Sequence, residues 1–347
     1  GRIERELRAD MKRWPEQPET LDGYVIDTSV DLALQKRAAK EMDRHLRAMA
    51  GQETEKAGGD PVEAAFVMVE NRTGQIVAVV GSHDYQRSEY DRATEMRRPP
   101  GSAFYPFLYA AAFETAQFTP ATRIVDAPFD NREMGLGSIG GVLGEWSTEN
   151  PENRWEGNVS AADALAKSKN SPTARLALLV GLDRVKRMAR SVGIESELRD
   201  IPSSLLGASE ASLSELTRAY TALPNEGSPS PEFRLIREVR DTGGKIVPRP
   251  GAAMAIPAMK VSTAKAVAEC LAPSPVREGA RGKTGTTATF TDAWYFGFDP
   301  VHTWGVWVGR DRFTPIRPLA FGGALAKPLA EEILTGEPSP VASSSAP

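Results

Sequence analysis

Three short runs of the sequence carry residues able to do chemistry. The first is Pro100-Gly101-Ser102-Ala103-Phe104-Tyr105-Pro106. Gly101 permits a tight turn, and Ser102 stands where a helix N-cap is expected, ahead of a helix predicted over Ala103–Gln117. The amides and dipole of a helix start favour developing negative charge, which suits a serine nucleophile, although this run taken alone reads better as a plain capping serine. The second run, Ser168-Lys169-Asn170, places a hydroxyl and an amide two residues apart, a pair able to shuttle a proton and orient a substrate amide. Read alone it is a polar turn. The third, Lys283-Thr284-Gly285-Thr286-Thr287, puts an ammonium and hydroxyls along an extended segment. Its backbone can pair with an extended peptide while Lys283 meets the peptide carboxylate. A glycine within a strand marks close approach by a ligand or by another piece of backbone, or a simple bulge.

These runs need elements to hold them. Leu34, Ala38, Met42 and Leu46 recur at four-residue spacing and predict a helix over Asp31–Met49, after a short strand Tyr24–Thr28. The near-continuous apolar runs Ala64–Val69 and Gln75–Val80, split by Glu70-Asn71-Arg72-Thr73-Gly74, predict a hairpin buried on both faces. A second strand pair is predicted at Ala293–Phe298 and Thr303–Gly309, around Asp299-Pro300. Between the hairpins the pattern is helical, at Ala161–Lys167, Pro172–Val180, Asp183–Val192, Ser212–Leu223 and Ala264–Leu271. Strands, many helices, then strands is the α+β arrangement of a sheet closed by both ends of the chain around a helical insertion. Residues 51–60 read as a polar loop and 336–347 as a disordered Pro/Ser/Ala tail, with 1–23 set apart as an N-terminal linker and 24–335 as the domain.

Composition narrows the function. The 347 residues are 41% hydrophobic and 25% charged, with 42 basic and 46 acidic residues intermixed and a net charge of -4. That balance leaves no basic face for nucleic acid. The single cysteine, Cys270, has no partner for an internal disulfide and is expected as a small buried apolar group. His45, His83 and His302 lack the spacing of a metal site, and no metal or organic cofactor is expected. Trp294, Trp304 and Trp307 on the late strands are expected to pack in the core or the cleft rather than to stack on a ligand, Trp146 to line a substrate cleft, and Asp292 to stand in a loop or at a strand start rather than in the chemistry.

In order and together, the three runs resemble the Ser-x-x-Lys, Ser-x-Asn and Lys-Thr-Gly motifs of penicillin-binding proteins and serine β-lactamases. The surrounding text is similar too: Asp27 with Leu34-Gln35, Asn71-Arg72-Thr73-Gly74-Gln75-Ile76, Tyr90-Asp91-Arg92-Ala93, Arg97-Arg98-Pro99-Pro100-Gly101-Ser102, Leu206-Gly207-Ala208-Ser209-Glu210, Asp292-Ala293-Trp294 and Val306-Trp307-Val308-Gly309. The stretch from about residue 24 to 334 is identified as resembling the transpeptidase half of a class A, bifunctional penicillin-binding protein. The resemblance implies an α/β (α+β) fold, a mainly antiparallel sheet sandwiched by helices with an all-helical subdomain. It also implies a serine D,D-transpeptidase that cross-links peptidoglycan by acyl transfer. Ser102 would attack the D-Ala-D-Ala end of a stem peptide, and β-lactams would acylate it by imitation. Ser168 and Asn170 would support proton transfer and orientation. Lys283 with Thr284, Gly285, Thr286 and Thr287 would bind the terminal carboxylate, and the amides of Ser102 and Thr286 would form the oxyanion hole. The partners implied are stem peptides, β-lactams and other cell-wall synthesis proteins. The place implied is the cell envelope, at the outer face of a bacterial inner membrane, reached through an N-terminal anchor.

The departure is Tyr105, which stands where the family carries its catalytic lysine. A neutral phenol is a donor and a weak acceptor, without the positive charge or the ready lone pair of a lysine. Three outcomes are open. Tyr105 packs away and the domain is a pseudo-transpeptidase that binds peptidoglycan or partner proteins; Lys169 or Lys283 supplies the base; or Tyr105 is itself deprotonated. A β-lactamase would need a further base for deacylation, and none of Glu149, Glu152 and Glu156 lies in a recognisable motif for it.

Overall fold

The computed structural model describes residues 2–12, 14, 20–50, 60–82, 84, 88–128, 154–248, 256–287 and 289–336. In chain order the elements are α1 (Arg2–Met11), β1 (Val25–Thr28), α2 (Leu32–Ala50), β2 (Val62–Glu70), β3 (Ile76–Val80), α3 (Tyr105–Phe113), β4 (Arg123–Asp126), β5 (Gly157–Ser160), α4 (Ala161–Ala166), α5 (Asn170–Val180), α6 (Leu182–Ser191), α7 (Leu213–Thr221), β6 (Ile236–Arg240), α8 (Val261–Cys270), β7 (Ala272–Pro273), β8 (Arg281–Thr286), β9 (Asp292–Phe298), β10 (His302–Arg310) and α9 (Ala326–Thr335). Short 3-10 turns at Gly101–Phe104 and Pro202–Leu206 complete them. His83, Trp146, Glu149 and Glu152 lie outside the described residues, as do most of the polar loop and the tail.

Six strands form one antiparallel sheet in the order β3-β2-β10-β9-β8-β7. Its strands read as continuous apolar runs because both faces are covered. Phe66, Met68, Trp304 and Val306 face α2 and α9, packing with Leu34, Met42, Leu329 and Ile333. The alternate residues Val67, Val69, Trp294, Phe296 and Trp307 face the other way, into a core shared with α3, α7 and α8. All three late tryptophans are fully buried, as their strand positions predict. Helices α3 to α6 with α8 make the helical part of that core, through Leu108, Leu165, Leu176 and Met188, and the antiparallel pair β4–β5 is attached to it. Within the N-terminal segment, Leu7 of α1 and Trp14 pack on Ile236 and Val239 beside the pair β1–β6.

The serine run is anchored to the sheet just ahead of Ser102. Arg98 pairs through its backbone with Ala211, its guanidinium meets Asp292 at 2.7 Å, and Trp294 donates to the Pro99 carbonyl at 2.9 Å. Asp292, at the start of β9, also accepts from Trp307 at 2.9 Å and from Thr291 at 2.7 Å. Both ions are buried, so removing one strands the other. Asp292→Ala should therefore lower the unfolding free energy by about 3–5 kcal/mol, read as a fall in the urea midpoint at constant slope.

Candidate active site

Ser102 does not cap a helix, contrary to the sequence expectation. It sits inside the 3-10 turn Gly101–Phe104, and α3 starts at Tyr105 with Phe104 as its cap residue and no side-chain capping bond. The cause is Pro106, which suits the first helical turn, where its missing N–H is no loss. The helix also ends at Phe113, short of the predicted Gln117. With no capping duty, the Ser102 hydroxyl donates to the Thr284 carbonyl at 3.2 Å.

Close backbone packing sets that distance. Gly101 has φ +54, and its amide donates to the Gly207 carbonyl at 3.0 Å. A Cβ at Gly285 would lie 2.4 Å from the Pro100 carbonyl oxygen, so β8 and the serine turn approach as only a glycine allows. On the other side the Gly322 amide donates to the Thr286 hydroxyl at 2.9 Å. Strand β7 pairs with β8 only at Arg281 and Gly282, so the β8 edge from Lys283 to Thr286 has no strand partner among the described residues.

Lys283 stands at the centre. Its Nζ lies 3.3 Å from Ser102 Oγ and 2.8 Å from the Thr284 carbonyl, and it also bonds the Ser168 hydroxyl. Burial lowers the Lys283 ammonium to about 7, within reach of the neutral amine at physiological pH. Ser168 is held with φ +55, a conformation a non-glycine residue keeps only when its surroundings fix it.

The other two candidate bases are turned elsewhere. Lys169 is buried and paired with Asp126 at 2.9 Å and Glu156 at 3.1 Å. Burial alone would lower its ammonium, but the hydrogen bonds to these two carboxylates outweigh it and hold Lys169 above the ordinary lysine value. Tyr105 is buried, its hydroxyl donating to Asn170 Oδ1 at 2.5 Å. Burial, with Tyr109 nearby, pushes the phenol strongly upward, so it stays protonated. The structure thus brings Ser102, Ser168, Lys283 and Thr284 together and joins Tyr105 to Asn170 behind them. Gly285 and Thr286 pack against the serine turn and the Gly322 segment, whereas Thr287 turns to Thr291 and the Asp292 amide at 3.0 Å. Asp126 and the Gly207 contact were not singled out from the sequence as site residues; Gly207 did lie in one of the similar stretches.

Metal chemistry has no visible seat: among the described residues no group of three His, Cys, Asp or Glu side chains is placed to hold an ion. His45 pairs with Glu332 and His302 lies near Asp299, in separate parts of the fold. Cys270 is buried at the end of α8, and burial pushes its thiol up to about 11. No helix of the described residues is long and apolar enough to cross a membrane.

A turn-borne serine, a strand-borne lysine and a Ser-x-Asn loop thus meet between the sheet and the helical part. Residues 64–335 match the family model described as penicillin binding protein transpeptidase domain. The chain belongs to that family. It is 30% identical over 289 residues to penicillin-binding protein 1A of Neisseria lactamica, covering 77% of this chain and 35% of that protein. It is 27% identical over 332 residues to penicillin-binding protein 1B of Haemophilus influenzae, covering 92% of this chain and 41% of that one. The chain therefore spans well under half the length of these relatives. Among solved structures, penicillin-binding protein 1A from Haemophilus influenzae superposes with a TM-score of 0.81 at 19% identity, over 99% of this chain and 71% of that one. The PonA1 protein from Mycobacterium tuberculosis, in complex with penicillin V, gives 0.78 at 21%, over 96% and 90%. These likenesses bear out the expected fold, an antiparallel sheet flanked by helices.

Proposed function

We propose that this domain is a serine D,D-transpeptidase of the cell envelope in which Lys283, rather than the residue at position 105, takes the proton from Ser102. The observation that carries the reading is the 3.3 Å contact between Lys283 Nζ and Ser102 Oγ. Deprotonated, the amine has a lone pair for the hydroxyl proton, and it already lies at hydrogen-bond reach.

The stem peptide lies along the unpaired edge of β8, its backbone adding to the sheet. As Ser102 Oγ bonds to the carbonyl carbon of the penultimate D-Ala, its proton passes to Lys283 Nζ. The amides of Ser102 and Thr286 stabilise the oxyanion. The new ammonium lies beside the substrate carboxylate, which the Thr284 and Thr286 hydroxyls also contact. Collapse breaks the peptide C–N bond, and the leaving D-Ala nitrogen takes the proton back through Ser168. An amine from a second stem then attacks the ester, releasing Ser102 and forming the cross-link. A β-lactam follows the first half of this path, its ring C–N bond being the one broken. By the same reading the domain works at the outer face of the inner membrane, on an anchor that precedes it.

Intact-mass spectrometry after incubation with a fluorescent penicillin tests the reading. One adduct per chain is expected, and none on Ser102→Ala. A folded protein that takes no adduct sinks the enzyme and leaves a binding module.

A further inference from the structure

Tyr105 and Asn170 are the first contact of a short ladder between α3 and α5. One turn further on, the Tyr109 and Thr173 hydroxyls meet at 2.9 Å, and Thr173 also donates to the Lys169 carbonyl at 2.6 Å. Tyr105 and Tyr109 are four apart on α3, and Asn170 and Thr173 three apart on α5, so both pairs face each other across one helix interface. The Ser168-Lys169-Asn170 loop is therefore pinned at each of its residues: Ser168 by Lys283, Lys169 by Asp126 and Glu156, Asn170 by Tyr105. That over-determination is what a positive φ at Ser168 requires. The Tyr105 ring meanwhile lies with its centroid 5.7 Å from Lys283 Nζ, a neutral π-face where a lysine side chain would bring a second positive charge toward the first.

We propose that Tyr105 is a positioning residue: its phenol clamps the Asn170 carboxamide and with it the Ser168–Asn170 loop, while Lys283 takes the proton from Ser102. This rests on the acyl-transfer reading above and divides between two residues the duties that a lysine at position 105 would combine. The hydroxyl suits the task because it is a neutral donor fixed at the end of a rigid, packed ring. Asn170 Oδ1, as its acceptor, is held in one orientation.

The test uses Tyr105→Phe, which keeps the ring and removes only the hydroxyl, with Asn170→Ala and the double variant. Acylation by a fluorescent penicillin is followed between about pH 5.5 and 9, and the Asn170 side-chain amide is followed by NMR. Tyr105→Phe should slow acylation about tenfold, the scale of one lost buried hydrogen bond, without moving the pH midpoint. The double variant should be no slower than Asn170→Ala alone, and the Asn170 amide resonance should move to the position of a mobile side chain. Wild-type acylation in Tyr105→Phe with an unmoved resonance overturns the clamp, as do additive losses. A shifted pH midpoint overturns it in favour of a phenol that transfers protons. If the wild-type protein takes no adduct, the transpeptidase reading fails, and the NMR signature alone still decides whether Tyr105 clamps Asn170.

Discussion

Lys283→Met should slow acylation of Ser102 by about 10²- to 10⁴-fold, the range that general-base assistance contributes. Lys283→Arg should fail almost as badly. The two variants separate the duties the side chain has been given. A guanidinium retains the positive charge and can hold a carboxylate, but it does not give up a proton in the working range. If Lys283 served only as a carboxylate anchor, arginine would preserve much of the rate; if it takes the Ser102 proton, arginine removes the step. The pH dependence gives the same answer by another route. Because burial lowers Lys283 to about 7, the neutral amine predominates above that pH and the ammonium below it. Acylation should rise about tenfold per unit up to pH 7 and level off beyond, the sign expected of a base that must first lose its proton. Lysine at its ordinary value would instead keep the rate climbing toward pH 10. A flat profile across this range, or a Lys283→Arg variant near wild-type speed, would remove Lys283 from the proton-transfer step.

The sheet was legible in the sequence because burial on both faces writes an unbroken apolar run, as in Ala64–Val69 and Ala293–Phe298. The helix carrying Leu34 to Leu46 was legible because it buries one stripe against that sheet. Strands β4, β5 and β7 were not. They are two to four residues long, and exposed Arg123 and Val125 alternate with buried Ile124 and Asp126, a pattern too brief to stand out. In the site, the order of the three runs sufficed to name Ser102, Ser168, Asn170 and Lys283 as candidates. Which lysine faces the serine was beyond it. Lys169 lies inside the second run, yet its amine leaves the site for Asp126, a residue 43 positions away that only the tertiary packing brings near. Only that packing leaves Lys283 as the amine beside Ser102. The same holds for Tyr105, whose part in the site the sequence leaves open and whose hydroxyl the structure joins to Asn170.

Gly101→Ala should disarm the site without changing a single catalytic group. At φ +54 an alanine costs about 1–2 kcal/mol in backbone strain, which a stable domain tolerates. The added Cβ is the larger problem, because it would lie 2.2 Å from the Thr286 carbonyl oxygen, an atom of β8 backbone rather than of a flexible side chain. The turn can retreat only by displacing its neighbour. Gly207, itself at φ +83, lies behind it, packed so closely that its own Cβ would come within 2.1 Å of the Gly101 oxygen. Relief therefore comes from moving the serine turn away from β8, and β8 is the strand that carries Lys283. A displacement near 1 Å would break the 3.3 Å contact from Lys283 to Ser102 and, on the proposed mechanism, withdraw the Thr286 amide from the oxyanion. Misplacement on that scale costs about 10²-fold in rate. Gly244→Ala supplies the comparison, since Gly244 has φ +79 but open space around its Cβ position. That variant should lose a similar increment of stability to strain and still take up penicillin at the wild-type rate, while Gly101→Ala, melting as a folded protein, should acylate at least about a hundredfold more slowly. Equal acylation by the two would mean that β8 and the serine turn move together, and that the glycine packing does not set the distance on which the chemistry depends.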